Sequence, residues 1–356
     1  MTPRGRAAAI AGLLAIVVAI AVAVGLSAGS DSTQARIAYV TRGARSATEI
    51  WVADTDGSAA HRLGPGTQPL LAPDEGLVAA TTATSASGGP ALTLFATSGS
   101  SRHRFFDAAR ATAVARAWST DSRYLAVVLS STDPGSDAAS KLVVIDTWLG
   151  TSRVIAHGPI EGAGFAPDGS DRIVYASAAS TALTAAVDLH IATAGGSARV
   201  QITHDGRNLN PVWGAGGIAF DRQRLRRSAA PAYQVVSMRA DGSARRPLTQ
   251  LPAAPQIDGL VPIAFSADGK HLLAENEGQD TSQAWAITVA TRHVVELKVA
   301  GHSVCGAGIS ARGDTVLVDR GGFLGAPGQG TVESLSFSGD HARVLVARGS
   351  QPSWNL

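Results

Sequence analysis

The 356-residue chain contains one cysteine, Cys305, only three lysines, and few aromatic residues, which make up 5% of the sequence. A single cysteine excludes an intrachain disulfide and a structural zinc site built from several cysteine thiolates. The formal net charge is only +2, whereas domains that bind nucleic acid in bulk usually carry a strongly basic face. The composition therefore excludes a disulfide-stapled domain and gives no sign of a nucleic-acid partner.

The chain is rich in the residues that build a hydrophobic core. Hydrophobic residues make up 45% of the sequence and charged residues 16%, which is not the composition of a disordered protein. The length is sufficient for one large domain or two ordinary ones. We therefore expect a folded chain with a large buried core.

The only long apolar run is at the N-terminus, over residues 7–30, and it follows Arg4 and Arg6. A run of about 20 apolar residues can span a bilayer, and arginines on its N-terminal side predict that the rest of the chain is extracytoplasmic. We predict a membrane anchor over residues 1–28, inserted through residues 7–28, then a linker over 29–35 and a folded domain over 36–356. The expected location is the cell membrane, as a single-pass protein.

A cleaved signal peptide is the alternative interpretation of this N-terminal run. Cleavage after Ala28 would release a secreted chain, although the apolar run is longer than that of an ordinary signal peptide. No cysteine follows directly after the run, so a lipoprotein anchor is excluded. Both interpretations place the folded domain outside the cytoplasm.

A repeated segment organises the rest of the chain. The segment FSADGKHLLAEN, residues 265–276, reads as a strand, a tight Asp-Gly turn and a second strand. Similar segments recur about every 47 residues. Their first residues are Leu71, Trp118, Phe165, Trp213, Phe265, Ile309 and Trp354. We predict that these residues open the innermost strands of successive units and pack in the core between the units.

Each unit also contains a second hairpin turn that is followed by a basic residue, as in DTDGSAAHR (54–62) and RADGSARR (239–246). Alternating apolar residues flank these turns, so each unit holds four short strands. Four-stranded units of about 40–50 residues are typical of β-propeller blades. The sequence therefore predicts an all-β protein with a seven-bladed propeller, or six blades if the unit around Ile309 merges with its neighbour.

The two ends of the repeat region are complementary. The segment QPSWNL ends the sequence one strand into a unit, whereas the first unit lacks that strand and begins with RIAYVTRG, residues 36–43. We predict that the strand containing Trp354 pairs with the strand at 36–43 and closes the ring. Residues 49–54 and about 60–63 would form the remaining strands of that blade, and closure would remove exposed sheet edges.

The segments PVWGAGGIAF (211–220) and PIAFSADGKHLL (262–273) resemble the TolB-type propeller repeat, which is similar to WD repeats. That repeat commonly has a proline, an aromatic residue, Ser-Pro-Asp-Gly and then an apolar strand. The resemblance extends over residues 36–356 and implies a propeller fold. TolB itself has a further N-terminal domain before its propeller, whereas this chain has an apolar segment there.

In a propeller, the loops that join the outermost strand of one blade to the innermost strand of the next emerge on one face, around the central channel. We predict that polar residues of these loops converge into a concave binding site. Several could supply oxygen ligands to calcium, but they could equally contact a protein partner, or only cap turns and line the channel. These residues are His157, Glu161, His204, Asp205, Asn208, Asn210, Asp258 and His302.

The first functional hypothesis is a monomeric, non-catalytic binding module of the cell envelope whose partner is another envelope protein. The alternative is a small-ligand receptor or an enzyme that uses the channel mouth, because propellers serve both purposes. The segment GHSVC (301–305) approaches the G-x-S-x-G nucleophile elbow, but Cys305 replaces the final glycine and the elbow requires a strand-to-helix turn. No catalytic residue, metal ligand or cofactor is therefore assigned.

Overall fold

The computed structural model describes residues 36–82, 91–106, 111–131, 140–178, 180, 185–224, 232–250, 259–277, 282–321 and 327–354. They form seven four-stranded antiparallel sheets and one two-stranded ribbon, which confirms the predicted all-β, seven-bladed propeller. The predicted membrane segment and linker, residues 1–35, lie outside the described residues. In the described ranges, no helix has the length and apolar character needed to cross a membrane.

The strands of the first half of the chain are β1 (Arg36–Arg42), β2 (Thr48–Asp54), β3 (His61–Pro65), β4 (Thr67–Leu71), β5 (Leu77–Thr82), β6 (Ala91–Ala96), β7 (Arg102–Phe105), β8 (Ala111–Trp118), β9 (Tyr124–Ser131), β10 (Lys141–Asp146), β11 (Thr151–His157), β12 (Ile160–Phe165), β13 (Arg172–Ala178), β14 (Val187–Thr193) and β15 (Val200–Gln201). A single 3-10 turn, Ala44–Ser46, lies between β1 and β2.

The strands of the second half are β16 (Asn208–Gly214), β17 (Gly217–Arg224), β18 (Ala232–Met238), β19 (Arg246–Pro247), β20 (Val261–Phe265), β21 (His271–Glu277), β22 (Ser282–Thr288), β23 (His293–Glu296), β24 (Lys298–Val299), β25 (His302–Ser303), β26 (Cys305–Ile309), β27 (Thr315–Arg320), β28 (Thr331–Ser336), β29 (Arg343–Val346) and β30 (Ser350–Trp354).

Blade 1 has the order β30-β1-β2-β3 from the channel outward, and blades 2 to 5 consist of β4–β7, β8–β11, β12–β15 and β16–β19. Blade 6 consists of β20–β23 and blade 7 of β26–β29, and the short ribbon β24–β25 lies between them in sequence. Because each blade is an antiparallel meander, the connections between blades share one face with the turns joining second and third strands. The other turns lie on the opposite face.

The hydrophobic core is divided among the contacts between neighbouring blades. Seven clusters of buried apolar residues are found in the described part of the chain, one at each interface between consecutive blades. The sheet of each blade is therefore covered on both faces by the neighbouring blades. This explains why second strands such as β9, with the sequence YLAVVLSS, read as nearly continuous apolar runs.

The recurring aromatic and aliphatic residues pack between blades as predicted, but their position in the strand was predicted wrongly. Trp118, Phe165 and Phe265 are buried and are the last residues of β8, β12 and β20. They end the innermost strands because a tight turn that contains aspartate follows each of them directly. The innermost strand therefore lies before each of these residues, in segments that the sequence-based prediction assigned to loops between blades.

The predicted ring closure is confirmed. In blade 1, β30 pairs antiparallel with β1, with Ile37 opposite Trp354 and Ala38 opposite Ser353. Ser353 Oγ accepts a hydrogen bond of 3.0 Å from the Leu71 amide of blade 2. On the other side, the Gln351 amide donates to Asp319 Oδ2 of blade 7 at 2.8 Å. The last strand therefore connects the blades on both sides of it.

Candidate functional site

The predicted channel-mouth residues that the structure describes lie at three of the connections between blades, or in the strands beside them. His157 ends β11, and Glu161 lies in β12, the innermost strand of blade 4; both are exposed. His302 is exposed in β25, part of the short ribbon between blades 6 and 7. Asp258 lies outside the described residues. Within the described ranges, no group of three or more His, Cys, Asp or Glu side chains has the arrangement of a metal site.

Among the predicted site residues that the structure describes, Asp205 and Asn208 are in direct contact. The Asn208 amide donates to Asp205 Oδ1 and, at 3.2 Å, to Asp188 Oδ1 of β14. Thr203 donates its hydroxyl proton to the same Asp188 oxygen at 2.7 Å. Both Asn208 and Thr203 are fully buried. These contacts hold the connection between blades 4 and 5 onto the body of blade 4.

The carboxylate of Asp205 is also paired with arginine. Arg222 of β17 donates two hydrogen bonds to Asp205 Oδ2, at 3.0 and 2.7 Å, and Arg245 Nη1 lies 3.7 Å from the same atom. Burial raises the pKa of Asp205, but the hydrogen bonds from Asn208 and Arg222 outweigh this and hold the pKa below its usual value. Both oxygens of the ionised Asp205 carboxylate therefore already accept hydrogen bonds. This arrangement is typical of a structural ion pair and not of a vacant ligand site.

Asn210 has a conformational role that the sequence-based prediction missed. It has a positive φ of 45° at a bulge of the innermost strand β16, and Gln68 and Gln351 have positive φ values of 53° and 49° at the corresponding bulges of β4 and β30. Each of the three is followed by proline. Asparagine tolerates this left-handed backbone better than most residues. The sequence signal was present as the repeated Gln-Pro or Asn-Pro pair in TQPLL, LNPVW and SQPSW.

His204 is exposed beside this network, and the GHSVC segment does not form a nucleophile elbow. Ser303 belongs to β25, and Cys305 begins the innermost strand of blade 7. A strand-to-strand connection cannot present a serine as the strand-to-helix elbow of hydrolases does. The GHSVC segment therefore lacks the strand-to-helix turn of a nucleophile elbow.

A second candidate site lies on the opposite face of the propeller, at the turn between β10 and β11 of blade 3. Trp148 and Leu149 at the tip of this turn are 69% and 68% exposed, more than any other large hydrophobic side chain in the described ranges. The corresponding turns of blades 1, 2, 4 and 5 carry Asp, Ser or Gly at this position. An apolar pair in a turn was the sequence signal, and the sequence-based prediction did not use it.

The Trp148 turn is fixed by Asp146 and Arg123. One oxygen of Asp146 accepts hydrogen bonds from the amides of Trp148 and Leu149, both at 3.1 Å. Its other oxygen accepts from Arg123 at 3.0 and 2.8 Å. The Arg123 guanidinium lies 5.1 Å from the centre of the Trp148 ring and 4.8 Å from that of Tyr124. The exposed indole is thus held in place by a charge-assisted framework.

The contacts between Asp146 and Arg123 favour the charged form of both side chains. Burial raises the pKa of Asp146, but the hydrogen bonds from Arg123 and from the Leu149 amide lower it below its usual value. The bond to Asp146 raises the pKa of Arg123 in turn. Both groups are charged near neutral pH, so the framework under the Trp148 ring is intact there.

Comparison with solved structures places the chain among known propellers. TolB from Acinetobacter baumannii is 16% identical with a TM-score of 0.53, and the match covers 90% of this chain and 66% of TolB. One of two prolyl endopeptidases is 12% identical with a TM-score of 0.60, covering 88% of this chain and 48% of the enzyme. The chain therefore spans somewhat less than two thirds of the TolB chain and about half of the endopeptidase.

A third similar structure is the β-propeller domain of the Trilobed protease from Pyrococcus furiosus. It is 12% identical with a TM-score of 0.61, and the match covers 88% of this chain and 92% of that domain. That domain has an open velcro topology, whereas β30 closes the ring here. No protein-family model and no curated protein matches the sequence. Because these neighbours differ in activity, the likeness shows the fold alone: the chain is a seven-bladed propeller with a TolB-like fold.

Proposed function

We propose that the protein is a non-catalytic binding module of the cell envelope that recognises another envelope protein through the Trp148–Leu149 turn. The observation that carries this proposal is the exposure of an apolar pair on a fixed turn. Tryptophan side chains that fill pockets of a partner dominate the binding energy of many interfaces. A contact residue held in place before binding loses little conformational entropy on association.

The chemistry of the turn indicates what the partner presents. Trp148 and Leu149 offer apolar surface, and the charge of Arg123 beneath them is compensated by Asp146. The complementary surface is therefore an apolar pocket or groove that can enclose an indole ring. A strongly acidic partner is not required, because Arg123 already has its counter-ion.

The location belongs to the same proposal. Arg4 and Arg6 before the apolar run support an N-terminal anchor with the propeller outside the cytoplasm. Protease added to intact spheroplasts should then digest residues 36–356. Protection of these residues would contradict the location, and release of a chain that begins near Gly29 would favour signal cleavage over an anchor.

Site-specific photo-crosslinking tests the binding role. A benzoylphenylalanine residue at position 148 of the full chain, in cells of the source organism, should form an adduct with one envelope protein. The same residue at position 98, in the exposed turn between β6 and β7 of blade 2, is the matched control. The protein found in the adduct should also co-purify with the chain that carries no crosslinker. Trp148→Ala should reduce the amount that co-purifies. Identical adducts from positions 98 and 148, or none from 148, would refute the proposed contact.

A further inference from the structure

A cavity of about 610 Å³ lies between blade 7 and blade 1, on the face that carries the connections between blades. It is lined by segments from three places in the sequence: the connection from β1 to β2, the segment before and at the start of β28, and the residues that lead into β30. Its volume lies within the range of about 300–1,000 Å³ typical of small-ligand sites. None of the residues predicted from sequence belongs to it.

Three arginines line this cavity: Arg42, Arg320 and Arg348. Arg320 Nε donates to Glu333 Oε1 at 2.6 Å, and the Glu333 side chain is only 2% exposed. Arg42 and Arg348 are exposed and, as far as the described ranges extend, form no ion pair. Two positive charges of the cavity therefore lack a counter-ion from that part of the chain.

The nearby acidic groups are already engaged. Glu333 also accepts a hydrogen bond from Thr331 at 2.8 Å. Glu49, whose carboxylate packs beside Gly43 of the cavity wall, pairs with Arg62 at 2.8 Å. Asp319 also lies beside Gly330 of the cavity wall, but its side chain is buried and accepts a hydrogen bond from the Gln351 amide at 2.8 Å. The exposed charges of the cavity wall are therefore those of Arg42 and Arg348.

We propose that this cavity binds a small molecule that carries two or more phosphate groups. A guanidinium group donates two parallel hydrogen bonds to phosphate oxygens and stays charged at every physiological pH. Arginines from blade 1, blade 7 and the segment before β30 line the same cavity, which suits a ligand with several anionic groups. The other side chains of the wall are small or polar, such as Ser46, Gln329 and Thr331, so recognition rests on charge and hydrogen bonds and not on stacking.

The position of the cavity gives the ligand a second effect. The cavity joins a segment near the start of the propeller, around Arg42, to the segment around Arg348 that leads into the closing strand. A ligand that contacts both binds only the closed ring, and binding to the native state alone raises its stability. The ligand therefore holds blades 7 and 1 together at the closure.

Calorimetric titration and thermal melts of the full chain in a non-ionic detergent test the proposal with pyrophosphate and tripolyphosphate as probes. Both probes should bind saturably and raise the melting temperature. The double variant Arg42→Gln/Arg348→Gln should bind about 100-fold more weakly, since each charge-assisted contact accounts for about tenfold in affinity. Arg320 is left in place because its loss would strand the buried Glu333.

The matched control is Arg102→Gln, which removes an exposed arginine from the outer strand of blade 2. It should bind both probes like the unaltered chain. Arg42→Lys/Arg348→Lys keeps the charge and the fold but loses the paired donors, and should bind with intermediate affinity. Unchanged binding by the Gln double variant, an equal loss in Arg102→Gln, or citrate binding as tightly as tripolyphosphate would each overturn the proposal.

Discussion

Replacement of Ser353 and Trp354 measures what the closing strand contributes to stability. The Ser353 hydroxyl is buried and accepts the Leu71 amide hydrogen bond, and its loss should cost about 1–3 kcal/mol because that amide then lacks this acceptor. A fully buried tryptophan costs about 3–5 kcal/mol on truncation to alanine. Trp354 is half-buried against the core between blades 7 and 1, so we expect about 2 kcal/mol for Trp354→Ala.

The two residues face different neighbours, since Ser353 bonds to blade 2 and Trp354 packs toward blade 7. The double variant should therefore lose roughly the sum, about 3–5 kcal/mol, out of a total of about 5–15 kcal/mol for a typical folded domain. Urea unfolding of the full chain in detergent, followed by far-ultraviolet circular dichroism, gives the difference as a shift in the transition midpoint.

Two exposed residues serve as matched controls. Trp148→Ala removes the same side chain from a site where it is 69% exposed, and Ser101→Ala removes an exposed hydroxyl. Both should change stability by less than about 1 kcal/mol. If Trp354→Ala unfolds at the same urea concentration as Trp148→Ala, the closing strand does not stabilise the ring and the reasoning fails.

Three further perturbations test the individual sites. The pKa of Asp146 lies below its usual value, so the ionised carboxylate stabilises the fold at neutral pH, and this contribution is lost as pH falls through the folded pKa. Thermal melts of wild type and Asp146→Asn should therefore differ at pH 7, and the difference should begin to shrink as pH falls below about 4 and vanish below the folded pKa. Asn208→Ala should lower stability by about 1–3 kcal/mol in urea unfolding, and an unchanged midpoint would contradict the network. Asn210→Gly should be tolerated and Asn210→Val should cost about 1–3 kcal/mol because of its positive φ; equal stability of the two would exclude a backbone role.

The blade number and the closure could be predicted because their signals are local and repeated. Asp-Gly turns at 268–269 and 241–242 specify hairpins through backbone conformations that few other residues adopt. The position of the innermost strands relative to the recurring aromatic residues could not be predicted. Segments such as IEGAGF in β12 contain glycine and a bulge between Ile160 and Ala163, so they lack the alternation by which strands are recognised.

The candidate sites were harder to predict because they depend on contacts between distant residues. Asp205 has the chemistry of a ligand in sequence, but in the folded structure Arg222 pairs with it, and Asn208 donates both to it and to Asp188. Arg42 and Arg348 lie about 300 residues apart and line one cavity because the ring closes between them. Trp148 was overlooked because recurrent aromatic positions in this sequence mark the core, and a turn lies outside that pattern.

The pairing of Ile37 with Trp354 has a consequence for biogenesis. Blades 2 to 7 consist of consecutive strands and can form as the chain emerges, whereas blade 1 lacks its innermost strand until β30 has been made. Until then the edge of β1 carries unpaired amide and carbonyl groups, which are prone to pair with other chains. The last step of folding is therefore the docking of one short strand, and a ribosome that stalls before residue 350 would leave an aggregation-prone open ring.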